Sequence, residues 1–475
     1  MTLAFIALVA GSILPWFVGT AIVLAMTRRA EIEAPGEVAW RVGTGYLVGV
    51  FAITLWMRSL SVMHVDFGVV SIGGPLFAIA LALWIWKVRS SRAAIVAAAR
   101  SAIDVLTARS LTGWHRWAWF GLMLWIAVRF ALLLAEIVWR PLYPWDAWTQ
   151  WATKTRVFFE LKHLVPFGFA DQWFASGGQM YFDASPTYPL TVPLLQVWTN
   201  IAYGQFDDSL MNLPWWQIAI ALACVAYGAL RRSGYGPLAA LAGTWIVTSL
   251  PLENVHVALA GYADLPMATF YAAATIATVR ALDTRSAGDA ALALILLIAC
   301  PTVKTPGIVW ALTLLPAVVY TMAGKYGLRI VLAGFVVVLV VLGVLAQSEP
   351  VILGYRLHLD FAPDWTALGQ SFFLLDNWHL LWYGVITVLV LGRRQLLAPG
   401  IAPLTLVVVA GALFLLLVFG FTNARGWVAD QTTINRAVLH LAPLAALWAL
   451  MVFGAWSRAS GAATAGTAPT AAQAA

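Results

Sequence analysis

A single carboxylate, Asp146, stands among tryptophans in Trp145-Asp146-Ala147-Trp148, with Trp151, Lys154 and Arg156 close behind. A carboxylate that acts as a general base gains strength when apolar walls strip part of its water. Trp145, Trp148 and Trp151 recur every third residue, which on a helix puts three rings on one face with Lys154 continuing it. Flat rings suit the CH faces of a sugar or an isoprenoid chain. They suit a membrane-interface belt as well, and Asp146 could equally be a helix cap or a salt-bridge partner.

Four further clusters have types and spacing that could join such a centre. Ser185-Pro-Thr-Tyr188-Pro-Leu-Thr-Val-Pro193 is a proline-stiffened entry to a short helix. Gly261-Tyr-Ala-Asp264-Leu-Pro266 opens an apolar segment, where Asp264 could simply cap the helix. Cys300-Pro-Thr-Val-Lys304-Thr-Pro-Gly307 breaks two apolar segments and leaves a lysine at membrane depth, where a cation needs an anionic partner such as a phosphate. Asn435-Arg436-Ala-Val-Leu-His440 puts a cation and an imidazole one turn apart, able to clamp a phosphate or to anchor the helix at lipid headgroups. The segment 347–376 adds Tyr355, Arg356, His358, Asp360, Asp364 and Asp376.

The elements that must position these residues are membrane helices. Hydrophobic residues make up 62% of the 475 and charged ones 10%, far outside the composition of soluble domains. Apolar runs near the ~18–20 residues that cross a bilayer recur throughout, which predicts an all-α polytopic membrane protein rather than a β-barrel. Spans are expected at about 3–26, 43–63, 67–86, 118–138, 213–230, 237–252, 263–281, 288–301, 306–323, 328–346, 377–392, 402–421 and 437–456, about thirteen in all. This assignment puts most of the 28 Lys and Arg residues in cytoplasmic loops and most of the 21 acidic residues outside. The loops 139–212, 253–263, 347–376 and 422–436 then face outward. Residues 190–203 are apolar but short, and are expected as a juxtamembrane or partly inserted helix on the outer face.

The net charge of +7 follows from those basic loops and implies no nucleic-acid partner. Arg28-Arg29 follow the first span with no positive residue ahead of it, the reverse of a cleavable signal, so that span is read as retained. Cys224 and Cys300 lie within apolar segments and imply neither disulfide nor metal site. Residues 87–116 read as a basic, Ala-rich cytoplasmic connection with an amphipathic surface helix that meets anionic lipid. The Ala/Thr/Gly-rich segment 460–475 reads as a disordered tail.

Taken in order, the five motifs resemble the GT-C superfamily of integral-membrane glycosyltransferases, which includes the protein O-mannosyltransferases and the lipid A aminoarabinose transferases. The resemblance runs from about residue 118 to 456, with residues 1–116 as three extra spans and a connection, 117–346 as the core, and 347–459 as the C-terminal helices. It implies transfer of a sugar from a polyprenyl-phosphate donor to a lipid-linked or small glycan acceptor on the outer face of the membrane, with inversion. Asp146 would be the base. Lys304, Arg436, Lys154 and Arg156 would hold the donor phosphate, and Trp145, Trp148, Trp151, Tyr188, Asp264, His440, Arg356 and His358 the substrates. No metal or other cofactor is expected, and the setting would be a bacterial inner membrane with the site facing outward. The mannosyltransferases' acidic pair is not reproduced.

The alternative is a transporter or lipid flippase, for which Arg58 and Arg129 inside spans would matter, unless they pair with Asp66 or Glu136. A lipid-binding assembly subunit without catalysis is a third reading.

Overall fold

The computed structural model describes residues 2–466. Nine helices among them are long and apolar enough to cross a bilayer: Leu3–Met26, Glu37–Val62, Val69–Leu106, Trp114–Trp139, Leu210–Arg232, Asp264–Thr284, Gly324–Ala346, Ala402–Phe421 and Ala442–Ser460. The chain is thus an all-α polytopic integral membrane protein, with β-structure among the described residues confined to the two-residue pairs Phe167–Gly168 with Tyr181–Phe182 and Val351–Ile352 with Tyr355–Arg356 and an isolated bridge between Leu357 and Thr422.

Four shorter apolar helices, Pro237–Thr248, Ala287–Val303, Gly307–Met322 and Leu381–Leu391, lie where the remaining crossings are expected. Proline marks the breaks beside some of them. Pro251 starts a new helix, Pro251–Ala258, where the span was expected to continue. Pro301 and Pro306 flank the break at Lys304. The expected span 437–456 is likewise divided into Thr433–Leu439 and a helix that begins at Ala442, just ahead of Pro443.

The helix Asp264–Thr284 is the axle of the bundle, with 83% of its apolar window buried, whereas none of the window of Gly324–Ala346 is buried. Lining the axle with small side chains (Ala268, Ala272, Ala273, Ala274, Ala277) lets neighbours approach closely. The first two leading helices share this core: Val23 and Tyr46 are buried in one apolar cluster with Trp215 and Leu265, and the Tyr46 hydroxyl donates to Gln217 Oε1 at 3.2 Å. Helices Thr2–Met26 and Glu37–Val62 meet backbone to backbone, so that a Cβ on Gly49 would lie 1.8 Å from the Pro15 carbonyl oxygen.

Three local expectations change in the folded chain. Residues 190–203 form the helix Thr191–Tyr203, nearly all of it buried inside protein; Trp198 Nε1 donates to the Gly11 carbonyl at 3.0 Å. The basic connection from residue 87 continues the third span as one helix to Leu106, kinked at Ser91 (φ −139°, ψ 28°). The last helix extends to Gly466, past Ser460 where the disordered tail was expected to begin, consistent with the helix propensity of alanine. Residues 467–475 of that tail lie outside the described residues.

Candidate functional site

Asp264 is the first residue of the axle helix, and its side chain is wholly buried. A turn delivers it there. Gly261 has φ +109°, and a Cβ at this position would sit 2.7 Å from Ala147 Cβ and 2.9 Å from Leu142 Cδ1. Only glycine admits both the backbone angle and the contact, so the Asp146 segment lies directly against the Asp264 turn.

Two other chain segments, one carrying Lys304 and one carrying Arg436 and His440, converge on this carboxylate. Lys304, extended (φ −151°, ψ 139°) after the helix Ala287–Val303 ends, pairs with Asp264 Oδ1. His440 Nε2 lies 2.9 Å from the same oxygen. Trp310 Nε1, which can only donate, reaches His440 Nδ1 at 3.1 Å. The imidazole is therefore the Nε2–H tautomer, donating to Asp264. Arg436 bridges the two acids, its Nε donating to Asp264 Oδ2 at 3.0 Å and its Nη1 to Asp146 Oδ2 at 2.5 Å. Burial opposes the charge on Arg436, but Asp264 and Asp146 together push its pKa up.

The result is two carboxylates and two cations with a gradient of access. Asp264 is closed off, while Asp146 and Arg436 are 24% and 25% exposed. Asp264 therefore orders the cations. Asp146, with one partner and an open side, is the acid positioned to exchange a proton. Tyr262 lies beneath Arg436, ring to guanidinium carbon at 4.4 Å, and its carbonyl accepts from Trp215 Nε1 at 2.8 Å.

The remaining expected residues divide. Tyr188 lines the site: its hydroxyl feels Arg436, Asp146 and Asp264, burial raises its pKa, and its ring packs on Trp151 at 5.1 Å. The three tryptophans do not share a face. Residues Ala147–Ala152 wind as a π-helix, whose wider turn takes i and i+3 out of line. Trp151 is buried, while Trp145 and Trp148 are exposed and pack on each other at 5.0 Å.

Lys154 turns away from the site. It is fully buried against Asp183 at 2.9 Å and the Ser185 carbonyl at 2.8 Å, a staple inside the polar loop. Burial pulls its pKa down, with Asp183 opposing. Arg156 is exposed, paired with Glu160 at 2.8 Å and stacked on Phe206. Arg356 and His358 both turn to Glu349, at 3.7 and 3.1 Å. Alternation along the short strand explains Arg356: its neighbour Tyr355 points inward, where it feels Tyr188, Asp264 and Arg436, so Arg356 points out.

The sequence marks Tyr355 with its loop 347–376, whereas Tyr262 lies within a motif that the sequence singles out but has no role of its own there. A second such residue, outside every motif, is His256, buried against Tyr262 (5.4 Å between rings) with Nδ1 unpartnered. Its pKa falls to about 4, through burial first, with Asp264 opposing and Arg436 adding. Among the described residues no three His, Cys, Asp or Glu side chains gather as a metal-binding group. The arrangement can hold an anion between Lys304 and Arg436 and accept a proton at Asp146. No family model, curated protein or solved structure matches this chain.

Proposed function

We propose that the protein is a membrane glycosyltransferase of GT-C type, moving a sugar from a polyprenyl-phosphate donor to a lipid-linked or small glycan acceptor at the outer face of a bacterial inner membrane. One observation supports this most: Asp146, Lys304 and Arg436, from three distant segments, meet around Asp264 with Asp146 and Arg436 open.

In the reaction, the acceptor hydroxyl oxygen attacks the anomeric carbon from the face opposite the phosphate. The bond from that carbon to the phosphate oxygen breaks, and its electron pair stays on the phosphate. Asp146 takes the hydroxyl proton. Lys304 and Arg436 offset the charge that builds on the leaving phosphate. At rest Arg436 is shared between the two acids, so an arriving phosphate competes with Asp146 for the guanidinium and frees the carboxylate that must then act. His440 and Asp264 hold the cations in place throughout.

An apolar hollow of about 320 Å³, lined by Trp365, Phe372, Trp382, Phe419, Ile434 and Leu441, adds support. Ile434 lies on the face of Thr433–Leu439 opposite Arg436, so the hollow is one helix diameter (~10 Å) from the cation, within reach of a long isoprenoid tail. Arg129, which a transporter would use, is instead occupied as a staple: it donates to Asn254 Oδ1 at 2.8 Å and stacks on Trp245, while Glu136 pairs with Arg140.

The test is Asp146→Asn in the purified protein, with mass spectrometry of envelope glycolipids from cells carrying it. Turnover should fall about 10²–10⁴-fold while polyprenyl-phosphate binding is kept. Unchanged glycans and undiminished turnover would overturn the reading.

A further inference from the structure

Arg58 lies one turn before the end of the helix Glu37–Val62, half-buried, at the same end of the bundle as Asp264. Burial acts on Arg58 with no carboxylate near enough to offset it, and Asp66 is exposed and makes no ion pair with it among the described residues. Its one hydrogen bond runs from Nη2 to Thr191 Oγ1 at 3.1 Å. Nε is buried with no partner at all. A guanidinium has five N–H donors, so nearly its whole fork is unused, in a place where an unpaired cation is costly.

The hydroxyls beside it are already oriented. Thr302 donates to the Ala299 carbonyl at 2.7 Å, and Thr191 donates to Thr302 Oγ1 at 3.2 Å, so Thr191 presents a lone pair to Arg58. Thr302 lies two residues before Lys304 in the same broken segment, and Thr191 opens the helix that follows Tyr188. The bonded Nη2 thus ties the guanidinium to the junction from which Lys304 emerges, and the side chain comes from the leading helices rather than from the core.

We propose that Arg58, steadied by Thr191 and Thr302, is an anion seat for the phosphate ester of a membrane lipid. A planar fork with free Nε–H and Nη–H groups matches two phosphate oxygens. The phosphate comes either from the isoprenoid carrier, which rests on the function proposed above, or from an anionic phospholipid headgroup, which does not.

The experiment uses the full chain in maltoside detergent, which brings no phosphate. Binding of farnesyl phosphate and of phosphatidylglycerol is measured for the wild type, Arg58→Gln, Arg58→Lys and Lys304→Gln. Arg58→Gln should weaken one of the two ligands on the order of tenfold or more, the range for hydrogen bonds to charged groups, with Arg58→Lys intermediate because it keeps the charge and loses the fork. Loss for farnesyl phosphate assigns the seat to the carrier; loss for phosphatidylglycerol alone assigns it to a headgroup. Wild-type binding of both ligands by Arg58→Gln overturns the proposal. Should Arg58→Gln not fold, wild-type affinity in Arg58→Lys does the same. An effect at Arg58 with none at Lys304 would leave the seat standing while removing the donor site proposed above, and the reverse pattern would do the opposite.

Discussion

At one end of the helix Asp264–Thr284, a carboxylate gathers Lys304, Arg436 and His440. At the other end, about 24 Å away, Arg280 joins Glu37, Arg41, Arg232 and Asp289. There Glu37 pairs with Arg41 at 2.8 Å, Arg280 at 2.7 Å and Arg232 at 3.3 Å, and Arg280 stacks on Trp40. The side chains of Glu37, Arg41, Arg280 and Asp289 are all 5% exposed or less. Both ends use the same chemistry, but they differ in which charges stay open. The Glu37 network ties four helices together with both of its acids, Glu37 and Asp289, closed off, and Arg232, 30% exposed, at its edge. The Asp264 network leaves an acid as well as a guanidinium partly open, and that open acid is what makes it the candidate site.

The comparison breaks most sharply at Asp264. Asp264→Asn strands Lys304 and leaves Arg436 with Asp146 alone, so we expect a loss of about 3–5 kcal/mol in stability together with loss of phosphate binding and turnover. Thermal unfolding in detergent, read beside ligand binding, checks both. If phosphate binding survived, Asp264 would not be the organiser of the cations.

Glu37→Gln is the counterpart at the closed end. It leaves Arg41, Arg280 and Arg232 facing one another, with a similar expected cost of about 3–5 kcal/mol. Surviving protein should bind phosphate as the wild type does. A large change in affinity would mean that the two ends are coupled through the axle helix.

A smaller effect concerns Glu253, buried behind the open end with Oε2 unpartnered. Burial raises its carboxyl to about 8, with Arg129 opposing. The folded chain thus keeps a proton that the unfolded chain sheds above a pKa of ~4.3. Stability should fall as pH rises from there to about 8 and then level off, by at most ~1.4 kcal/mol per pH unit. Glu253→Gln should flatten that slope. Unfolding of both proteins between pH 6.5 and 8, over which the unfolded-state titration of His256 is common to the two, measures it; an unchanged slope would show that Glu253 is ionised in the fold.

The pieces of the site were legible in the sequence to the extent that each lay at a break in an apolar run. Asp146, Asp264, Lys304, Arg436 and His440 all sit at such breaks, where a polar residue next to a span stands out. Residues inside the polar loop carried no such signal. Lys154 looked like Arg436, and only Asp183 and the Ser185 carbonyl, brought to it by the fold of residues 153–185, decided that it is a staple. The tryptophan stripe failed for a local reason: periodicity assumes 3.6 residues per turn, and the segment winds as a π-helix.

Composition and apolar run length by themselves determined that this is an all-helical integral membrane protein, because burying backbone polar groups in a bilayer leaves a chain this apolar little else to form. Sequence also set where helices break, since proline and glycine act locally. What only the tertiary structure decided is which charges meet. Asp146 and Arg436 are 290 residues apart, and Gly261 against Ala147 brings the Asp146 segment to the Asp264 turn. Ion pairing depends on positions in space, and the packing of the central helix sets those positions.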